Sequence, residues 1–240
     1  MIKNLLQRGL LALALAALPL LTTAPAAHAA AAQPAAVAAA SGLRAPLPLF
    51  EAIDQIPVAD EHREGYKRDL YKHWNRGLNT TDGCDTRKEV ILSEAVQEPQ
   101  VAAGCRLTGG SWLSPYDNLV IVDAARLDVD HFVPLAEVFD SELKSPEGAR
   151  WSAARREAYA NDQNSPDTLV AVSAASNRSK ADRDPAEWLP PAADYHCEYV
   201  AKWVGTKLRW DLAADEAERQ ALLGVAEDCP NTTVVYEPAP

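Results

Sequence analysis

The chain has 240 residues, with 23 basic against 34 acidic side chains and a net charge of -11 at neutral pH. Without an expected leader that carries Lys3 and Arg8, 21 basic residues remain and the net charge becomes -13. That balance excludes a protein that coats nucleic acid through a basic surface, while allowing an enzyme with a local positive groove.

Residues 1–29 combine a basic start, an apolar run from Leu10 to Leu21 and an Ala27-His28-Ala29 ending, the pattern of a cleaved signal peptide. The run is shorter than the ~20 residues a helix needs to span a bilayer, so a secreted, extracellular product without stable membrane association after cleavage is expected. Residues 30–46 are rich in Ala and Pro, as a linker is. One domain is expected over 47–232, followed by a tail at 233–240.

From Leu49 to Val58 and on through Tyr66, Leu70 and Trp74, apolar residues fall at helical spacing, which predicts a helix or helix pair. Asn79 to Cys84 is a turn, and Thr86 to Ala95 is a short helix capped by Asp85 or Thr86. Cys105 to Leu113 alternates around Gly109-Gly110, and with Leu119 to Val122 and Val129 to Val133 supplies the strand candidates. Glu137 to Leu143 and Ser152 to Ala160 read as helices, Thr168 to Val172 as a strand and Ala174 to Lys180 as a helix. Tyr195 to Leu208 carries a continuous apolar stripe at Tyr199, Val200, Trp203, Val204 and Leu208. Asp215 to Ala226 is the last helix.

Cys84, Cys105, Cys197 and Cys229 are an even set in an exported chain and predict two disulfides. Sequence-local loops close most easily, which favours Cys84 with Cys105 and Cys197 with Cys229. The four lack the paired spacing of a structural zinc site.

The chemistry concentrates in Leu127-Asp128-Val129-Asp130-His131-Phe132-Val133-Pro134 and in Ser176-Asn177-Arg178-Ser179-Lys180. An imidazole near its ordinary pKa accepts a proton at neutral pH, which suits His131 to act as a general base. Asp130 and Asn177 are hard oxygen donors of the kind magnesium prefers. Adjacent strand residues point to opposite faces, so Asp130 and His131 share a site only where the strand ends or bends, and Pro134 supports such an end. Lys180, Arg178 and Arg87 are candidate phosphate contacts. Asp128 reads as an outer carboxylate or a solvated strand residue.

Asp128-Val129-Asp130-His131-x-Val133-Pro134 with Asn177-Arg178-x-Lys180 resembles the HNH, or His-Me finger, nucleases. The resemblance is strongest to secreted HNH proteins related to the C-terminal domain of the GmrSD restriction enzymes. There Gly83-Cys84-Asp85-Thr86-Arg87, Asp130-His131-x-x-Pro134-Leu135-Ala136-Glu137 and Asn177-Arg178-Ser179-Lys180 followed by Asp184-Pro185-x-x-Trp188 recur. It implies an α+β fold, mainly helical around a ββα-metal core. It also implies a metal-dependent endonuclease hydrolysing phosphodiester bonds of DNA or RNA, with His131 as base and Asp130 and Asn177 holding one divalent ion. Magnesium is the expected ion, and manganese, calcium and zinc are compatible; DNA is the expected partner of a monomer. Many members hold the imidazole with an Asn where this chain has Thr168, so another group, such as Asn161, Asn164 or a backbone carbonyl, must orient His131. A non-catalytic exported binding protein on the same scaffold and a small-substrate phosphodiesterase are the alternatives.

Overall fold

The computed structural model describes residues 45–144 and 148–240; the expected leader and most of the expected linker lie outside these residues. Strand β1 (Leu47–Pro48) leads straight into helix α1 (Leu49–Asp54), which buries Leu49, Ala52 and Ile53. The helix expected to run on to Val58 stops early, because Pro57 has no amide hydrogen to offer a helical ladder. Beyond it the chain is irregular, with positive φ at Gly65 and Trp74, and keeps only a 3-10 turn at Arg68–Leu70. Tyr71 anchors that turn by donating to Glu142 Oε1 at 2.8 Å.

Helix α2 (Thr86–Ser93) opens on the Asp85 side chain, which accepts from the Lys88 amide at 2.8 Å. Two small antiparallel hairpins follow, β2 (Gln100–Ala102) with β3 (Arg106–Thr108), and β4 (Trp112–Ser114) with β5 (Leu119–Ile121). Gly109-Gly110, expected to turn one hairpin, instead joins the two, both glycines taking the positive φ that other residues resist.

The element that positions the site is the antiparallel pair β6 (Leu127–His131) and β7 (Leu169–Ser173), in register from Leu127 opposite Ser173 to His131 opposite Leu169. Between them lie α3 (Leu135–Ser141), which begins directly after Pro134, and α4 (Ala153–Ala160), capped by Ser152. Helix α5 (Ala174–Lys180) follows β7 with no loop. Ser173 caps it by accepting from the Ser176 amide at 3.2 Å, which leaves Asn177 free of the capping role.

Helices α6 (His196–Arg209) and α7 (Glu216–Glu227) complete the body, α6 burying the predicted stripe of Tyr199, Val200, Trp203 and Val204. Strand β8 (Thr233–Val234) then pairs with β1, and Arg209 donates to the Glu237 carbonyl at 2.6 Å, so residues 233–240 lie along the body where a tail was expected. The fold is α+β, with small sheets among helices. Both predicted disulfides are present, Cys84 to Cys105 and Cys197 to Cys229.

The main core packs α1, α3, α6 and α7 around Phe132, Tyr199 and Trp203. A smaller one sets Val90 and Ile91 of α2 against Leu127, Val129, Leu169 and Ala171. The β6–β7 pair is therefore held between two apolar layers, with α5 and α2 against it. Among the described residues no helix is long and apolar enough to cross a membrane.

Candidate active site

Strand alternation puts Leu127, Val129 and His131 on one face of β6 and Asp128 and Asp130 on the other. Asp128 and Asp130 meet α5. Asn177 donates to Asp128 Oδ2 at 3.3 Å, and Arg178 Nε stands 3.8 Å from the same oxygen. Asp130 is buried, and its Oδ2 accepts from the Tyr116 hydroxyl at 2.7 Å and from the Lys180 ammonium. Lys180 also donates to the Phe132 carbonyl at 2.9 Å and the His131 carbonyl at 3.2 Å.

Those three bonds use every proton of an ammonium with 0% exposure, so Lys180 is a structural cation and not the expected phosphate contact. Burial pushes the Asp130 carboxyl up and the Lys180 ammonium down, against their mutual attraction. Desolvation thus outweighs pairing at both ends. Arg87 is also committed elsewhere: it donates to the Leu127 carbonyl at 2.6 Å, fixing the start of β6.

His131 faces the other way. Its Nε2 lies 3.0 Å from the Ala160 carbonyl. A carbonyl only accepts, so Nε2 carries the hydrogen and the neutral ring keeps Nδ1 as an acceptor. Trp74 stacks on the ring at 5.3 Å between centroids and Tyr159 at 6.1 Å, with the edge of His73 at 5.9 Å. Burial lowers the imidazole pKa to about 3; the Ala160 carbonyl opposes this, and the charges of His73, Arg68 and Lys180 add to it.

The two faces meet at the end of β6. There a cleft of about 310 Å³ is lined by Tyr66, Arg68, Asp130, His131, Asn177 and Arg178. A larger hollow of about 480 Å³ on another part of the surface, lined among others by Glu94, Tyr195 and Lys202, holds none of these residues.

The family profile of the C-terminal domain of GmrSD restriction endonucleases matches residues 68–225. This chain belongs to that family. The matched span carries every one of those cleft residues except Tyr66. An uncharacterized secreted protein of Arthroderma benhamiae is 35% identical over 167 residues, 70% of this chain and 77% of the relative. No solved structure matches. The secreted relative and the two disulfides agree in placing the protein outside the cytoplasm, where disulfides persist.

The structure adds residues to the cleft that the sequence did not mark as part of a site. Tyr66 and Arg68 reach the cleft from a segment read as helix, and Trp74 and His73 pack against the imidazole. Asp128 stands against Asn177 where a solvated carboxylate was equally expected. Thr168 donates to Asp162 Oδ2 at 2.8 Å and lends its carbonyl to the Phe132 amide, so it holds the loop and not the ring. The group that does hold the ring is a backbone carbonyl, which no residue type announces.

Proposed function

We propose that the protein is a secreted, metal-dependent HNH endonuclease that hydrolyses phosphodiester bonds of DNA, with RNA as a further substrate. The observation that carries this reading is one cleft lined by a neutral, carbonyl-tethered imidazole, a carboxylate and an amide. The antiparallel β6–β7 pair running directly into α5 supports a ββα core.

The donor chemistry fits a divalent ion. Asp130 and Asn177, with Asp128 next to Asn177, offer hard oxygens on one side of the cleft, and magnesium is the ion they suit best. Asp130 Oδ2 is already shared by Tyr116 and Lys180, so Asp130 would bind through its other oxygen. Such an ion, when bound, neutralises charge that builds on the phosphate. His131 Nδ1 takes a proton from water as the water oxygen bonds to phosphorus, the ester P–O bond breaks, and the leaving oxygen is protonated from solvent. Burial keeps the imidazole neutral, hence able to accept, at any pH well above 3. Its weak basicity is offset during transfer by the anionic phosphate beside the imidazolium.

The committed Asp130 Oδ2 favours one second reading, a non-catalytic exported binding protein on the same scaffold. Supercoiled plasmid separates the two. The purified protein with magnesium or manganese should nick it, and His131→Ala should abolish nicking while the thermal midpoint holds. Absence of nicking across several divalent metals would refute the endonuclease, and full activity in His131→Ala would refute the base.

A further inference from the structure

Hydrolysis of a phosphodiester builds negative charge on the non-bridging oxygens, and a positioned guanidinium is well suited to meet it. The cations near the cleft differ sharply in their availability. Lys180 is buried on Asp130, and Arg87 is bound to the Leu127 carbonyl. Arg63 is bound to Asp140 and Asp182, both at 2.6 Å. Arg178 is exposed but stands over Asp128, on the Asn177 side. Of these cations, Arg68 is the one that lines the cleft, is exposed and, among the described residues, forms no ion pair; its side chain bonds only the neutral Tyr66 hydroxyl, which a phosphate can displace.

Its position is also fixed. The 3-10 turn that carries it is closed by the Tyr71 amide on the Arg68 carbonyl at 3.1 Å, and Tyr71 is fully buried. Tyr66, two residues earlier, packs its ring on Phe139 at 5.6 Å. Arg68 and His131 line the same cleft. Asp128, Asp130 and Arg178 gather along α5, whereas Arg68 reaches the cleft from a different segment.

We propose that Arg68 is a catalytic residue that binds a non-bridging oxygen of the phosphodiester on the His131 side of the cleft, holding phosphorus in line with the attacking water. This inference rests on the endonuclease reading above. The -13 net charge expected after leader removal repels a polyanion overall, so binding it calls for local cationic contacts of this kind.

The test uses the purified protein, Arg68→Ala, Arg68→Lys and Arg106→Ala, the last an exposed arginine on β3 outside the cleft. In plasmid nicking with magnesium, Arg68→Ala should lower kcat/KM by about 100-fold, with Arg68→Lys recovering part of it and Arg106→Ala within about two-fold of wild type. The thermal midpoint should not move. Binding of a short DNA duplex, followed by fluorescence anisotropy in EDTA, should weaken in Arg68→Ala, with the slope of log affinity against log salt reduced by about one. Nicking by Arg68→Ala within two-fold of wild type, while His131→Ala is dead, would overturn the inference and leave the endonuclease standing. If the wild type cuts nothing, the endonuclease reading fails, and the anisotropy decides. Reduced affinity and slope in Arg68→Ala would preserve the phosphate contact, and unchanged affinity would overturn it.

Discussion

Lys180, in the last turn of α5, and Asp130, near the end of β6, form an ion pair closed off from water, with the lysine fully buried and the carboxylate 6% exposed. The pair ties helix to strand at the point where Asn177 must face the aspartates. Removing one partner of a buried pair leaves the other charge uncompensated, which typically costs 3–5 kcal/mol. Lys180→Met keeps the volume and removes the charge, so urea unfolding should show a loss of roughly 3 kcal/mol. Arg178→Ala, removing an exposed cation 3.8 Å from Asp128, should cost well under 1 kcal/mol. Equal losses in the two variants would contradict the assignment of Lys180 to structure.

The sequence carried the pieces of the fold and of the site whose signals are local. Asp85 and Ser152 capping their helices, the stripe along α6 and the Asp130-His131 pair before Pro134 all reflect spacing and capping that neighbours enforce. Non-local contacts left no such trace. Lys180 and a phosphate-binding lysine look alike until Asp130 and two carbonyls are seen to surround the ammonium. The segment from Tyr66 to Trp74 has helical spacing, yet Pro57, the positive φ at Trp74 and tertiary packing decide its path. Arg68 enters the cleft only because of that path.

Glu94 gives a pH signature. Burial pushes its carboxyl from 4.5 up to about 7, against the Ala171 amide it accepts from and the charge of Lys202. The folded state therefore holds this proton more tightly than the unfolded chain. Its contribution is fully present below pH 4.5 and is lost as pH rises to about 7. Allowing for the partial exposure of Glu94, the loss is roughly 2 kcal/mol. Glu94→Gln keeps an acceptor for Ala171 and cannot ionise, so its stability relative to wild type should rise between pH 4.5 and pH 8. Denaturation curves at those two pH values that shift equally in both proteins would count against it.

The disulfides should matter by similar amounts. Cys84 to Cys105 closes a separation of 21 residues and Cys197 to Cys229 one of 32. Loop-closure entropy puts each at about 3–4 kcal/mol. The double serine variant at Cys84 and Cys105 should lower the thermal midpoint while leaving α6 and α7 joined. The variant at Cys197 and Cys229 should loosen the α6–α7 pair, which hydrogen exchange along Glu216–Glu227 would register.

Thr168 is the position at which orientation of His131 can be tested directly. Its hydroxyl bonds Asp162, whose carboxylate also takes Arg209 at 2.8 and 3.0 Å and the Trp210 indole at 3.1 Å. The Asn164 amide donates to the same carboxylate at 3.1 Å, so Thr168→Val removes one donor of five, leaves the carboxylate paired, and should lower stability by about 1 kcal/mol. The imidazole is held by the Ala160 carbonyl, so plasmid nicking should stay within about two-fold of wild type. Asp162→Ala, by contrast, strands the buried Arg209 and should cost about 3–5 kcal/mol. A Thr168→Val enzyme that folds normally but loses activity 100-fold would show that the ring depends on the start of β7 and not on the Ala160 carbonyl.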